Sequence, residues 1–267
     1  MTQQRFDSYV ICTSPRSGST LLCDLLAQTN VAGRPGSHFH RPSVQAWAKD
    51  FGVAAGGDET MADLLDKVLD AAKAKGTTSN GVFGLRLQRG SFSYFMDQLA
   101  KRFQGAVEDP TLLDAAFGRT RLIYLTRADK VEQAVSFVRA QQSGLWHRAR
   151  DGTEIERLAP MAPSGYDRAA IASQVAEFEQ FDQQWEAWFA KWGLAPCRLS
   201  YTELSAEPLP VLGRILFDLG LDPRLAQSIG RVGQLGHPGH NRLRQPWIET
   251  QVEQNASQNR QRFRRQF

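Results

Sequence analysis

The chain has 267 residues, 42% of them hydrophobic, and a formal net charge of +4. This length and apolar content are typical of one α/β domain with a substantial core, and no long linker rich in Pro, Gly or Ser divides the sequence, so a single domain over residues 1–267 is predicted. No apolar run of about 18 residues occurs, which excludes a transmembrane helix, and the polar start MTQQRFDS predicts no signal peptide.

The cysteines indicate a reducing environment. Cys12, Cys23 and Cys197 lie in apolar contexts and have neither disulfide-framework nor zinc-site spacing. Free thiols are typical of the cytoplasm. We therefore predict reduced core thiols, a cytoplasmic protein and no metal site.

Residues 9–26, YVICTSPRSGSTLLCDLL, predict a buried strand, a tight polar loop over residues 13–18, and a helix that opens near Ser19. The N–H groups of such a loop and of the first helical turn converge on one point, and the helix dipole adds positive potential there. Arg16 supplies a planar cation suited to phosphate or sulfate oxygens. An oxyanion-binding loop is predicted; the alternative is an ordinary turn whose serines only cap the helix.

The loop departs from the motif of nucleoside-triphosphate-binding proteins. Gly18-Ser19-Thr20 stands where that motif has Gly-Lys-Thr, and Thr13 stands where it has its first glycine. The phosphate-binding lysine is therefore missing, which disfavours a magnesium-dependent ATPase or kinase. The expected ligand is still a nucleotide-like anion.

The segment SPRSGSTLL at residues 14–22 resembles the 5′-phosphosulfate loop of sulfotransferases that use 3′-phosphoadenosine 5′-phosphosulfate (PAPS). It is most similar to the bacterial branch that includes the trehalose 2-sulfotransferase and lipopolysaccharide sulfotransferase family. The likeness continues through VAG-x-P at 31–35, NGVFG at 80–84, and QAVSF, RA and a tryptophan within 133–146. The resemblance implies an α/β, P-loop-NTPase-like three-layer fold, with a central, mainly parallel sheet flanked by helices. It also implies in-line transfer of a sulfuryl group from PAPS to a hydroxyl of a carbohydrate or glycolipid, with no metal.

The resemblance assigns the 5′-phosphosulfate to the loop and the first helical turn: Ser14, Pro15, Arg16, Ser17, Gly18, Ser19 and Thr20. Arg16 is expected to be catalytic, because it would neutralise charge on the leaving phosphate.

The polar loop of residues 31–43 follows the first βα unit and is predicted to pass over the ligand crevice at the carboxyl ends of the strands, outside the core. Arg34, Ser37, His38 and His40 are candidates for the acceptor site. The resemblance implies a glutamate base at the position of Ser37 and another acidic residue at that of Arg34. Serine does not take up a proton at neutral pH, whereas histidine does, so His38 is predicted as the general base; the alternative is that both histidines are surface residues.

Residues 60–75 predict an amphipathic helix with a Thr60–Asp63 capping pair, and residues 82–87 predict a strand.

Arg86, near the end of that strand, stands where the resembling family carries a lysine. It is expected to contact the sulfuryl group or the acceptor, with a surface salt bridge as the alternative. Residues 92–118 predict two short helices.

Residues 121–126 predict a buried strand that ends in Arg127, where magnesium-binding NTPases carry aspartate, so the strand end is suited to an anion. The resemblance implies that Arg127 and Ser136 bind the 3′-phosphate of PAPS. Ser136 lies on a helix predicted over 129–142, with Val131, Val135 and Val138 facing inward.

Residues 143–167 show no periodicity and are predicted as a long loop or lid over the acceptor, with a surface excursion as the alternative. Trp146 within it is a candidate to stack on a sugar or on adenine, or a packing residue.

A long helix over 168–192 carries aromatic residues at helical spacing that suit either the core or a dimer interface, and a homodimer is predicted. A strand over 197–201 and a helix over 208–219 follow.

The C-terminal segment 236–267 contains six arginines and two glutamates, which suggests a weak contact with an anionic membrane surface or a solvated helix end. Its basic residues lack the interleaved aromatics that stack bases, so no nucleic-acid partner is expected. Two other functions stay open: a catalytically silent protein that binds PAPS or its product, and a P-loop nucleotide kinase variant.

Overall fold

The computed structural model describes residues 5–40, 43–54, 56–105, 108–148, 154–160 and 165–229. The predicted basic segment 236–267 and parts of 143–167 lie outside these residues. The described residues fall into two compact units: one combines the chain up to Ala128 with the chain from Glu177 onward, and the other comprises Asp129–Ala176.

The secondary-structure elements alternate between strands and helices along most of the chain. In chain order they are β1 (Ser8–Thr13), α1 (Ser19–Gln28), α2 (Val44–Phe51), α3 (Met61–Gly76), β2 (Phe83–Gln88), α4 (Arg89–Arg102), α5 (Asp109–Phe117), β3 (Thr120–Thr126), α6 (Lys130–Ser143), β4 (Leu145–Arg148), β5 (Glu154–Arg157), α7 (Arg168–Lys191), β6 (Cys197–Ser200), α8 (Tyr201–Ala206), α9 (Pro208–Asp218) and α10 (Leu225–Ser228).

The first unit is built on a four-stranded sheet in the order β2-β1-β3-β6, in which every neighbouring pair is parallel. β1 lies in the middle, and all six of its residues are buried. A parallel strand covered on both faces has no solvent side, which explains the continuous apolar run at its centre. The carboxyl ends of the strands therefore meet at one edge, beside the loop that follows β1.

Helices cover both faces of this sheet. Val10 and Leu85 point into a core shared with α3, α4, α5 and α7. Ile11 and Leu125 point into a second core with α1 and α9. Each such fully buried side chain contributes about 1.5–3 kcal/mol through the apolar surface it removes from water. The predicted three-layer α/β fold is confirmed.

The aromatic residues of α7 belong largely to the core. Trp185, Trp188 and Phe189 are buried against the sheet, and the rings of Trp185 and Phe189 stack at 5.9 Å between centroids. The core alternative for this helix is thus confirmed, and these side chains give no support to a dimer interface.

Two sequence expectations about the second unit are wrong. Val131, predicted to face inward on α6, is 38% exposed, while Val135 and Val138 are buried as expected. The predicted loop 143–167 contains the antiparallel pair β4–β5. Its strands have four residues each and the register shifts within the pair, so no alternation of apolar and polar residues marks them in the sequence.

The capping box predicted for α3 is confirmed. The Thr60 hydroxyl accepts from the Asp63 N–H at 3.2 Å, and the Asp63 carboxylate accepts from the Thr60 N–H at 3.1 Å.

The three cysteines differ in burial. Cys12 and Cys23 are buried free thiols as predicted, whereas Cys197 is only partly buried. Among the described helices, none combines the length and apolar character needed to cross a membrane.

Candidate oxyanion-binding site

The loop between β1 and α1 has the backbone conformation of an anion cradle. Arg16 and Gly18 both have positive φ angles, 63° and 90°. Left-handed residues within a tight turn direct successive N–H groups inward. Gly18 is also the N-cap of α1 and provides no side-chain acceptor, so the first N–H groups of the helix are not capped from that position. The loop therefore presents N–H donors and the positive end of a helix dipole to one point.

Buried hydrogen bonds hold this loop in place. The Thr13 hydroxyl lies 2.5 Å from the Ser17 hydroxyl and donates to the Leu125 carbonyl of β3 at 2.9 Å. The Trp185 indole N–H donates to the Thr13 carbonyl at 3.1 Å. Ser17 is fully buried and Ser14 almost so, at 1% exposure. Because the Ser17 hydroxyl is hydrogen-bonded to Thr13 within the loop, the backbone N–H of Ser17 is the group suited to bind a ligand.

Arg127, directly after β3, lies against the same loop, while its predicted binding of the 3′-phosphate stays a prediction. Its side chain is only 2% exposed, and one guanidinium N–H donates to the Arg16 carbonyl at 3.3 Å. The structure therefore brings together Arg16 and Arg127, two of the four arginines that were predicted for the site.

Tyr201 completes this side of the site and was missed by sequence reasoning. It is the first residue of α8, directly after β6, and the Arg127 guanidinium carbon lies 4.5 Å from its ring centroid. A Cβ on Gly18 would lie 2.5 Å from Tyr201 Cδ2. Its place at the end of a strand, like that of Arg127, is the signal that could have identified it.

Arg86 joins the oxyanion loop to the predicted acceptor loop. Its Nε donates to the Ser37 hydroxyl at 2.7 Å, and its terminal nitrogen donates to the hydroxyls of Thr20 at 3.0 Å and Ser19 at 3.4 Å. The acceptor loop is also fixed to β2 through the backbone, because the Arg86 N–H donates to the Gly36 carbonyl at 3.1 Å. These contacts place Arg86 between the two loops, and its contact with the sulfuryl group or the acceptor stays a prediction.

The acceptor loop reaches into the core, contrary to the sequence expectation. Phe39 is fully buried and stacks on Phe95 at 4.5 Å, with Trp47 edge-on at 5.0 Å. One aromatic residue in a polar segment thus anchors the loop, while Arg34 and His40 are exposed. The His40 Nδ1 lies 2.9 Å from the Ser37 carbonyl.

His38 occupies a half-buried position beside these groups. Its ring lies 5.3 Å from the ring of Phe51, and its Nε2 is buried with no hydrogen-bond partner in the described part of the chain. Burial, together with the positive charges of Lys75 and Arg86, lowers the pKa of His38 to about 4. The imidazole is therefore neutral at physiological pH and able to accept a proton, but it is a weaker base than an exposed histidine.

Two predicted site residues belong to the second unit. Ser136 on α6 is buried at 9% exposure, and the Trp146 ring packs edge-on against Phe137 at 5.4 Å. The contact with Phe137 supports a packing role for Trp146. The assignments of Ser136 to the 3′-phosphate and of Trp146 to the acceptor stay predictions.

Comparison with known proteins identifies relatives along almost the whole chain. The family model described as Stf0 sulphotransferase matches residues 8–255. Trehalose 2-sulfotransferase from Mycolicibacterium smegmatis is 28% identical, with 97% of this chain and 94% of that protein covered. The enzyme of the same name from Mycobacterium tuberculosis is 26% identical over 82% of this chain and 86% of its own length. A solved structure of retinol dehydratase in complex with androsterone and the inactive cofactor PAP is similar with a TM-score of 0.42 and 13% identity, covering 87% of this chain and 65% of that one.

Replacement of Gly18 tests the geometry of the cradle. Gly18→Ala combines a positive φ of 90° with a Cβ 2.5 Å from Tyr201, so the loop must shift. We expect a loss of about 1–3 kcal/mol in the free energy of unfolding and at least about a 10-fold weaker affinity for adenosine 3′,5′-bisphosphate, the nucleotide expected from the sequence.

Gly52→Ala is the matched control, because Gly52 also has a positive φ, 68°, but a Cβ there meets nothing within 4 Å. It should lower stability through backbone strain alone and leave nucleotide affinity unchanged, as urea unfolding and calorimetric titration would show. Wild-type affinity in Gly18→Ala would contradict the proposed cradle.

Replacement of Trp185 tests whether the core supports the loop. Trp185→Phe keeps an aromatic ring but removes the donor to the Thr13 carbonyl, so we expect a loss of about 1–3 kcal/mol in stability and about 3- to 10-fold weaker nucleotide binding. Trp188→Phe is the control, because its indole N–H donates to Asp109 at 2.6 Å. Equal effects of the two variants on nucleotide affinity would show that the Trp185 bond does not position the loop.

Proposed function

Since the chain belongs to the Stf0 sulphotransferase family, we propose that it transfers the sulfuryl group of PAPS to a hydroxyl of a carbohydrate or glycolipid. The observation that carries the proposal is the convergence of cationic and N–H donors on one loop. Arg127 donates to the carbonyl of Arg16, and Arg86 donates to Thr20 in the first turn of α1. Such a concentration of donors at the carboxyl edge of a parallel sheet suits a doubly anionic nucleotide.

Sulfuryl transfer depends on how the protein positions the two substrates and stabilises developing charge, and it needs no covalent intermediate with the protein. In the proposed reaction the acceptor oxygen forms a bond to sulfur while the bond between sulfur and the 5′-phosphate oxygen breaks, so negative charge grows on the leaving bisphosphate. Arg16 and the N–H groups of Ser17–Thr20 would bind that phosphate and stabilise its charge. Arg127 and Ser136 would bind the 3′-phosphate and so select this nucleotide.

His38 is the proposed general base. Ser37, at the position where the resemblance implies a glutamate, accepts a hydrogen bond from Arg86, and a hydroxyl so engaged does not remove a proton at neutral pH. His38 is the adjacent residue and is neutral. It would take the proton of the acceptor hydroxyl as the new bond to sulfur forms.

The acceptor is proposed to be a saccharide other than trehalose. Two relatives that match most of this chain are trehalose 2-sulfotransferases, but Arg34 and Ser37 replace the acidic residues that the resemblance implies in the acceptor loop. A loop that exchanges carboxylates for a cation and a hydroxyl offers different partners to sugar hydroxyls.

Four further predictions from the sequence also remain proposals. They are a homodimer, a cytoplasmic location, one functional domain, and a membrane contact through residues 236–267.

A silent nucleotide-binding protein is the second candidate, and the exchange of a carboxylate base for Ser37 is the observation that favours it. It would bind the bisphosphate as tightly as an enzyme does and would turn over no acceptor. A nucleotide kinase variant would instead bind Mg-ATP.

The first test is calorimetric titration with adenosine 3′,5′-bisphosphate, adenosine 5′-phosphate and Mg-ATP, followed by transfer assays on a panel of saccharides. We expect tight binding of the bisphosphate alone, and a rate reduced on the order of 100-fold in Arg16→Ala, because one charge-stabilising donor is lost. Arg224→Ala, which alters an arginine paired with Asp222 on the surface, is the control and should leave the rate unchanged. Ordinary rates with Arg16→Ala, or preferential binding of Mg-ATP, would refute the proposal.

The base assignment predicts an unusual pH profile. A general base works in its deprotonated form, so with the pKa of His38 at about 4 the rate constant kcat/KM should fall only as the pH drops through about 4. An unperturbed histidine would give this decline near about 6.5. His38→Gln should remove the acid limb and lower kcat by about 100-fold or more, whereas His40→Gln should keep the wild-type profile. Persistence of the same acid limb in His38→Gln would assign the base to another residue.

A further inference from the structure

Gln88 lies at the carboxyl end of β2, on the rim of the proposed site, and has no role in the mechanism above. Its Cα pairs with that of Thr13, the residue from which the oxyanion loop starts. Because side chains alternate along a strand, Gln88 shares a face with Arg86, which reaches Thr20 and Ser37. Gln88 lies two residues, about 6.6 Å, nearer the open edge. It therefore faces the region above the Arg86 contacts, between the oxyanion loop and the acceptor loop.

The amide oxygen of Gln88 is buried without a hydrogen-bond partner in the described part of the chain. Arg89, the next residue, lies on the other side of the sheet, because its guanidinium lies over the rings of Phe92 at 5.3 Å and Trp185 at 5.6 Å, which belong to the core that contains Val10 and Leu85. Buried polar atoms are nearly always paired in folded proteins, so the unpaired amide oxygen of Gln88 at the edge of the proposed site indicates a ligand that donates to it.

The chemistry of this atom defines the ligand. The amide oxygen of Gln88 is a hydrogen-bond acceptor, and each hydroxyl group of a polyol donates one hydrogen bond. We propose that Gln88 recognises a hydroxyl group of the saccharide acceptor by accepting a hydrogen bond from it, and thereby determines which saccharide is sulfated. This inference rests on the proposed sulfuryl transfer and adds a residue that recognises the acceptor.

Gln88→Met separates a ligand-binding role from a structural one. If the amide oxygen is unpaired in the free protein, an apolar side chain of similar length removes an unfavourable burial, so the melting temperature should stay equal or rise. Affinity for adenosine 3′,5′-bisphosphate should stay within about 2-fold of wild type, since the nucleotide groups are untouched. KM for the saccharide that turns over best should rise by about 10-fold or more, because a hydrogen bond to substrate is lost.

Deoxy analogues of that saccharide identify which hydroxyl group donates to Gln88. Removal of one hydroxyl should lower kcat/KM of the wild-type protein by about 10-fold or more and cause no further loss in Gln88→Met, while removal of the others affects both proteins alike. Gln45→Met, at an exposed position on α2, is the control and should behave as wild type.

The outcomes separate this inference from the proposed function. A destabilised Gln88→Met with unchanged KM would make Gln88 a structural residue and overturn the inference, while the sulfuryl transfer stands. Absence of bisphosphate binding in the wild-type protein would overturn the proposed function, and the inference with it. Bisphosphate binding without turnover on any saccharide would favour the silent binding protein and would also overturn the inference.

Discussion

The buried hydrogen bonds of Thr13 are the constraint on which the site depends. The hydroxyl of this residue ties the end of β1 to β3 and to Ser17, and its carbonyl is held by Trp185 from α7. Because all these groups are buried, a shift of the loop would leave polar atoms unpaired away from water, which is costly. The aromatic core therefore sets the position of the oxyanion loop as well as the stability of the sheet.

The contact of Gly18 with Tyr201 links the loop to the other end of the sheet. Only a residue without a Cβ lets the Tyr201 ring approach so closely, and the same ring lies beside the Arg127 guanidinium. The glycine thus serves two purposes at once: it adopts the left-handed conformation of the turn, and it makes room for the side chain that packs on Arg127.

Sequence patterns predicted what depends on local structure. The strand, loop and helix around Arg16, the capping box of α3 and the strand-end position of Arg127 follow from periodicity and residue chemistry, and the structure agrees. The sequence could not predict what depends on distant partners. Phe39 enters the core because Phe95 and Trp47 lie across from it, and Tyr201 joins the site because β6 pairs with β3.

Charge distribution explains how this chain can differ from its relatives within one fold. Arg86 donates to Ser37, and Arg86 and Lys75 both disfavour a proton on His38, so the region around the acceptor loop favours anions and neutral groups over cations. A carboxylate at the position of Ser37 would pair with Arg86 and reduce that positive character. In the proposed reaction, a chain without this carboxylate takes its base from the neutral His38. The proposed acceptor residues on the loop and on the rim formed by β2 would then allow the acceptor to change while the nucleotide loop stays the same.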